Sequence, residues 1–217
     1  MTDRVVIWGA SGHALVVADV VREEGRFDIA GFLDDFDPTR QGEPFAGGRV
    51  LGGRERLPAL RSEGVRAVIV AVGDCAARLR LAEVVRLHGL ALASAAHPRA
   101  VIAEGVEIGA GTVVCAGAVV NPGAVLGECV IVNTGATVDH ECRIGDGVHV
   151  GPGAHLGGRV EVGRGTWIGI GAGVSDRIRI GAEAVIGAGA IVVRDIPDRV
   201  VAYGVPARAM RPVGVRG

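Results

Sequence analysis

Asp139-His140-Glu141 is the tripeptide in this chain best suited to chemistry. Histidine titrates near neutral pH and an adjacent carboxylate favours its imidazolium, so the trio has the makings of a general base. A second set lies near the N-terminus. Gly9-Ala10-Ser11-Gly12-His13 reads as a strand-to-helix turn, where backbone N–H groups and a helix N-terminus can hold phosphate. Asp34 and Asp35 end the next strand, where acidic residues often meet a ribose or a base edge, and Gly73 ends the one after. Three strand ends on one crevice suit a nucleotide-type ligand. Each feature also has a plainer reading: an exposed histidine, a glycine that only lets a helix pack closely, a solvated acidic turn.

No other set of residues makes an equal case. His149 and His155 precede aliphatic positions in successive repeats, which puts them on adjacent faces and gives them no need to converge on a metal. Their spacing departs from that of the zinc-binding γ-class carbonic anhydrases, so no metal is expected. His88 and His97 look incidental. Cys75, Cys115, Cys129 and Cys142 contain no CxxC pair and read as structural thiols in a reducing compartment.

The elements that position these residues fall into two kinds. From Ile102 to Val192 every sixth residue is Ile, Val or Leu, sixteen times without a slip. That period fits neither an α-helix nor a hairpin array; it is the hexapeptide repeat of a parallel β-helix, about five coils of three strands each. Two residues before each aliphatic the side chain is small or β-branched, as a second inward position on a period-two strand requires. The residue after it is Gly in nine repeats and Asn121, Asn133 or Asp139 in three, which suggests corners with φ > 0. His140 falls outside both inward positions and should project from the prism.

Upstream the pattern alternates β and α. Strands are expected at Arg4–Trp8, Asp28–Leu33 and Ala67–Val72, helices from the glycine turn to Glu24, over Arg54–Glu63 and over Ala76–His88, and a Gly/Pro-rich loop at Asp37–Arg49. The expected division is a small Rossmann-like α/β unit of three or four parallel strands at 1–97, a β-helix at 98–194 and a cap and loop at 195–217. The net charge of −1 offers nothing to nucleic acid or an anionic membrane. All basic residues are arginine, which looks like base-composition bias. With no signal-peptide-like or membrane-length apolar run, the chain is expected to be cytoplasmic.

GASGH at 9–13, FLDD at 32–35, AVG at 71–73, NTGATVDHECRIGDGVHVGPGA at 133–154 and YGVPAR at 203–208, in that order, resemble the NeuD/PglD-like bacterial sugar acetyltransferases. These hexapeptide-repeat acyltransferases are described as sialic acid O-acetyltransferase-like and as nucleotide-linked amino-sugar N-acetyltransferases. The resemblance implies a left-handed β-helix, a homotrimer with active sites between subunits, and acetyl-CoA as co-substrate. It implies N-acetylation of a nucleotide-linked 4-amino-4,6-dideoxy sugar, with O-acetylation of a sialic-acid-like sugar as the alternative and a non-catalytic nucleotide-binding scaffold as a third reading. By position, His140 would be the general base and Glu141 its orienting partner. Ser11, Gly12 and His13 would meet the phosphates, and Asp34, Asp35 and Gly73 the nucleoside. His149, Ile170 and Ala188 would contact acetyl-CoA, and Gly158, one coil from His140, would donate to the oxyanion.

Overall fold

The computed structural model describes residues 3–214. A continuous apolar run, Val5-Val6-Ile7-Trp8, makes up most of β1 (Asp3–Trp8), and all four of its side chains are buried. The chain continues through α1 (Gly12–Glu24), β2 (Phe27–Leu33), β3 (Pro44–Phe45), β4 (Gly48–Gly52), α2 (Leu57–Ser62), β5 (Val65–Val70), α3 (Cys75–Leu87) and β6 (Ala91–Leu92). These strands form one six-stranded sheet in the order β3-β4-β2-β1-β5-β6. All neighbours are parallel except β3 and β4.

Three sequence expectations are corrected here. The segment 37–49 is not a plain loop: Asp37 caps a short 3₁₀ turn, and Pro44–Phe45 and Gly48–Gly52 form a hairpin that extends the sheet. Two and five residues broken by glycines carry too little period-two pattern to be read as strands, yet Phe45 packs edge-on to Phe32 with ring centroids 4.9 Å apart. The sheet therefore has six strands rather than three or four. The third expected strand ends at Val70, two residues early, and Val72 and Gly73 beyond it form the lip of a cleft.

From β7 (Ala95–Ala96) to β23 (Ile191–Val192) the chain makes seventeen two-residue strands. They stack into three parallel sheets, the faces of a left-handed triangular prism. Each residue pairs with the one eighteen positions on, as in Val113↔Ile131↔His149↔Trp167↔Val185 along the first face. The second residue of each strand points inward, and Val132, Val150, Ile168 and Ile186 are fully buried in one axial core. Each such side chain contributes roughly 1.5–3 kcal/mol of apolar burial.

The corners overturn the reading of the glycines. Positive φ recurs at every sixth residue from Gly105 to Gly189, three residues after the inward aliphatic rather than one. Five of those positions are not glycine (Cys129, Glu141, Arg159, Arg177 and Glu183). The glycine directly after the aliphatic answers a different demand. A Cβ on Gly169 would lie 2.6 Å from Ala188 N, and one on Gly163 would lie 2.6 Å from Gly181 C, in each case backbone of the next coil. Those glycines permit the coils to stack closely.

The tail also departs from the expected cap and loop. β24 (Val200–Gly204) adds to the first face and folds back on β25 (Ala207–Pro212) as an antiparallel hairpin. The final three residues lie outside the described residues. The α/β unit packs on the first face, where Ala95, Val113 and Cys115 share a core with Val5, Ile7 and α1. Among the described residues no helix is long and apolar enough to cross a membrane.

Candidate active site

Two edges of the prism and one cleft in the α/β unit carry most of the residues singled out above. His140 sits on the corner between β14 (Thr137–Val138) on the second face and β15 (Arg143–Ile144) on the third. Its side chain is half exposed, and its Nδ1 lies 3.1 Å from Glu141 Oε2. An Nδ1–H donated to that carboxylate leaves the lone pair on Nε2, the arrangement a general base needs. Arg159 Nε donates to the same oxygen at 2.8 Å. Arg159 first and His140 second hold the Glu141 carboxyl below its usual range, so it stays anionic and orients the ring.

The backbone at this corner is tied down as well. Asp139 Oδ1 accepts from His140 N at 2.6 Å and from Asn121 Nδ2 at 2.9 Å. Those two bonds, the backbone one first, lower the Asp139 pKa. The Nε2 edge of the imidazole lies against Gly158, where a Cβ would meet Nε2 first and come within 2.7 Å of His140 Cε1. Only glycine leaves room for the ring there. The eighteen-residue count that picked out Gly158 also pairs Asn121 with Asp139 and Glu141 with Arg159, a signal that sequence reasoning missed.

The second set gathers at the carboxyl ends of β1, β2 and β5. A cleft of about 740 Å³ is lined there by Ser11, Asp34, Asp35 and Gly73, with Trp8, Leu33, Val72, Leu81 and Val84 as an apolar wall. Ser11 is the N-cap residue of α1, yet its hydroxyl makes no capping bond, which leaves it free for a ligand. Both acidic residues are already partnered. Arg40 Nη1 donates to Asp34 Oδ2 at 2.7 Å, and Arg54 holds Asp35 Oδ2 through Nε and Nη2. Phe36, 92% exposed, stands at the mouth. Arg40, Arg54, Phe36 and Arg80 are cleft residues that the sequence did not single out, because loop arginines and helix-face residues carry no distinguishing pattern.

Gly12 opens α1, and His13 turns away from the cleft floor toward His149, with ring centroids 6.0 Å apart. His149 is not the outward-facing residue that its place in the repeat suggests. It is only 7% exposed, because the α/β unit covers that part of the first face. Asn133 Nδ2 donates to His149 Nε2 at 3.0 Å, and His149 Nδ1 donates to Gly73 O at 3.4 Å. Its other side stacks on Trp167 at 5.8 Å. Burial first, then the Arg78 guanidinium, pushes both His13 and His149 down to about 4. Ile170 and Ala188 occupy a second edge of the prism, the corner between the first and second faces, on successive coils. One protomer thus brings the cleft residues and His149 together on the first-face side and leaves His140 with Glu141 on the opposite vertex.

The two buried imidazoles make stability pH-dependent. Between the folded pKa of about 4 and the unfolded 6.5, the unfolded chain binds more protons, so stability falls as pH drops through that window. The loss is on the order of 3 kcal/mol for each ring by pH 4. Urea unfolding at pH 7.5 and 5.0 should show a lower midpoint at pH 5.0, and His13→Gln with His149→Gln should flatten the difference.

The residue set matches known proteins in whole as well as in part. Residues 4–85 match the family model described as the PglD N-terminal domain. Perosamine N-acetyltransferase from Caulobacter crescentus, solved as a histidine-to-asparagine variant with CoA and GDP-perosamine, is 42% identical. It superposes with a TM-score of 0.92 over 97% of this chain and 98% of that one. The chain belongs to the NeuD/PglD-like sugar acetyltransferases. The acetyltransferase domain of PglB from Neisseria gonorrhoeae, solved with acetyl coenzyme A, is 38% identical, with a TM-score of 0.90 over 97% of this chain and all (100%) of that one. WeeI from Acinetobacter baumannii is 27% identical with a TM-score of 0.82, covering 96% of this chain and 100% of that one. No match was found among curated protein sequences. The family member described here is an acetyl-CoA-dependent sugar N-acetyltransferase. Among its described residues no group of three or more His, Cys, Asp or Glu side chains is placed to hold a metal ion.

Proposed function

We propose that this acetyltransferase acts on the 4-amino group of a nucleotide-linked 4-amino-4,6-dideoxy sugar, an acceptor of the GDP-perosamine kind. His140 is the base. Its Nε2 takes a proton from the sugar amine as the nitrogen attacks the thioester carbonyl of acetyl-CoA. The tetrahedral intermediate collapses with loss of the coenzyme A thiolate, which the His140 imidazolium reprotonates. Glu141 keeps the ring oriented, and the Gly158 N–H is the candidate donor to the oxyanion. No covalent enzyme intermediate is needed, and the buried thiols of Cys75, Cys115, Cys129 and Cys142 take no part. The observation that carries this reading is the half-exposed His140 imidazole, anchored through Nδ1 with its Nε2 edge seated against a glycine.

In this reading Ser11 and the backbone N–H groups of Gly12 and His13 hold the diphosphate, Asp34, Asp35 and Gly73 the nucleoside, and Ile170 and Ala188 lie along the acetyl-CoA path, with the buried His149 behind it supporting Gly73. The relative solved with CoA and GDP-perosamine supports both ligand classes. The α/β unit covers part of the first face, whereas His140 occupies the vertex opposite that face, so in this reading a cleft and its base come from different subunits. A closed homotrimer satisfies this three times over. Acetyl-CoA is a cytoplasmic metabolite, which supports action in the cytoplasm.

Thiol release from acetyl-CoA, followed with GDP-perosamine and with a UDP-linked 4-amino sugar, is the test. Release with at least one of them, and an N-acetylated product by mass spectrometry, are expected; no release with any nucleotide amino sugar rules the reading out. Shared sites have their own check. Ser11→Trp blocks the cleft and His140→Ala removes the base, and each should be inactive alone. Co-expressed, they should recover about one site in four by random mixing. No recovery would mean that each subunit uses its own histidine.

A further inference from the structure

Arg78 of α3 is 0% exposed and forms no ion pair among the described residues. A guanidinium in that position is costly unless each N–H finds an acceptor. Here all five do. Nε donates to Cys129 O at 2.8 Å, Nη1 to Val72 O at 2.8 Å and Gly73 O at 3.0 Å, and Nη2 to Gly147 O at 2.7 Å and Val148 O at 3.5 Å. Val72 and Gly73 belong to the cleft lip. Cys129, Gly147 and Val148 belong to corners of the prism at the entry to the first face.

We propose that Arg78 is a positioning residue for the acceptor: it fixes the Val72–Gly73 lip of the cleft to the β-helix, and so sets where a bound nucleotide sugar projects. The planar fork suits this task, because it donates along three directions at once to carbonyls from two separate parts of the chain. Gly73 O receives a second donor, His149 Nδ1, so the lip is held from the α/β side and the prism side together. Lysine, with three donors on one nitrogen, cannot reach both sides at once. The inference rests on the nucleotide-binding reading of the cleft.

The test uses the full-length assembled enzyme with Arg78→Met, which keeps bulk and loses every donor, and Arg78→Lys, which keeps charge and loses the fork. Steady-state kinetics should show KM for GDP-perosamine rising roughly ten- to hundredfold in the methionine variant. KM for acetyl-CoA should stay near the parent value, and the lysine variant should fall between. A purely structural role would instead lower the active fraction and leave both KM values alone. Hydrogen–deuterium exchange reads the clamp without any ligand: exchange at residues 71–74 and 145–148 should rise in both variants, while the axial core around Val150 and Ile168 keeps its protection. Unchanged exchange at 71–74, or unchanged KM for the nucleotide sugar in a folded variant, overturns the proposal. If the parent enzyme releases no thiol with any nucleotide amino sugar, the functional reading fails on its own, and the exchange experiment still decides the clamp.

Discussion

His140→Ala should lower kcat by ~10²–10⁴-fold, the usual contribution of a positioned general base. KM for acetyl-CoA should barely move, because the imidazole acts only at the reacting thioester end and not along the rest of the coenzyme. His140→Asn should behave alike, since an amide fills the space over Gly158 but cannot accept a proton at neutral pH. Glu141→Gln leaves the base in place and weakens its anchor, so its loss should be smaller, about tenfold. Circular dichroism and size-exclusion profiles should match the parent, because the His140 side chain is half exposed and outside the axial core. Near-normal turnover in His140→Ala would remove this residue from the mechanism.

The second large effect is on stability and separates two roles for glycine. Gly163 has no positive φ, but a Cβ there would lie 2.6 Å from Gly181 C and 2.7 Å from Ala182 Cα, backbone that cannot swing aside. It belongs to the column Gly109, Gly127, Gly145, Gly163, Gly181, one corner of the prism where every coil carries glycine. Gly163→Asn should cost about 3 kcal/mol, at the upper end of overpacking penalties. That corresponds to a Tm lower by roughly 6–12 °C in a chain of this size. Gly135 is the control, with φ of +65° and nothing within 4 Å of an added Cβ. Asparagine tolerates that backbone, so Gly135→Asn should cost under ~1 kcal/mol. Equal losses at the two positions, in differential scanning calorimetry, would mean that conformational freedom is what both corners require.

These two variants also mark where reading the chain succeeds. The period of six is a one-dimensional signal, since each inward aliphatic answers to the same axial core, and it identified the β-helix directly. It placed His140 outside the prism and put Gly158 one coil away. The α/β elements were legible where buried strands and helix faces repeat, as in β1, α1 and α3. They were illegible where two residues suffice for a strand, as at Pro44–Phe45. Asn121, Asn133 and Asp139 were noticed for the wrong reason. None has a positive φ. Their side chains serve instead in the networks around His140 and His149.

What only the folded chain decided are contacts between residues far apart in sequence. Arg78 reads as one more arginine on an amphipathic helix, and nothing local announces that five carbonyls from 72 to 148 converge on it. His149 reads as an outward repeat position until the α/β unit is seen to cover that face. The sequence by itself determined the repeat architecture and the outward place of His140, because repeat period and inward burial are local properties of six residues. The tertiary structure decided the state of the two buried histidines, the gathering of carbonyls on Arg78, and the separation of the cleft from His140. Those depend on which surfaces meet, and desolvation and donor geometry are set by neighbours that no short window of sequence contains.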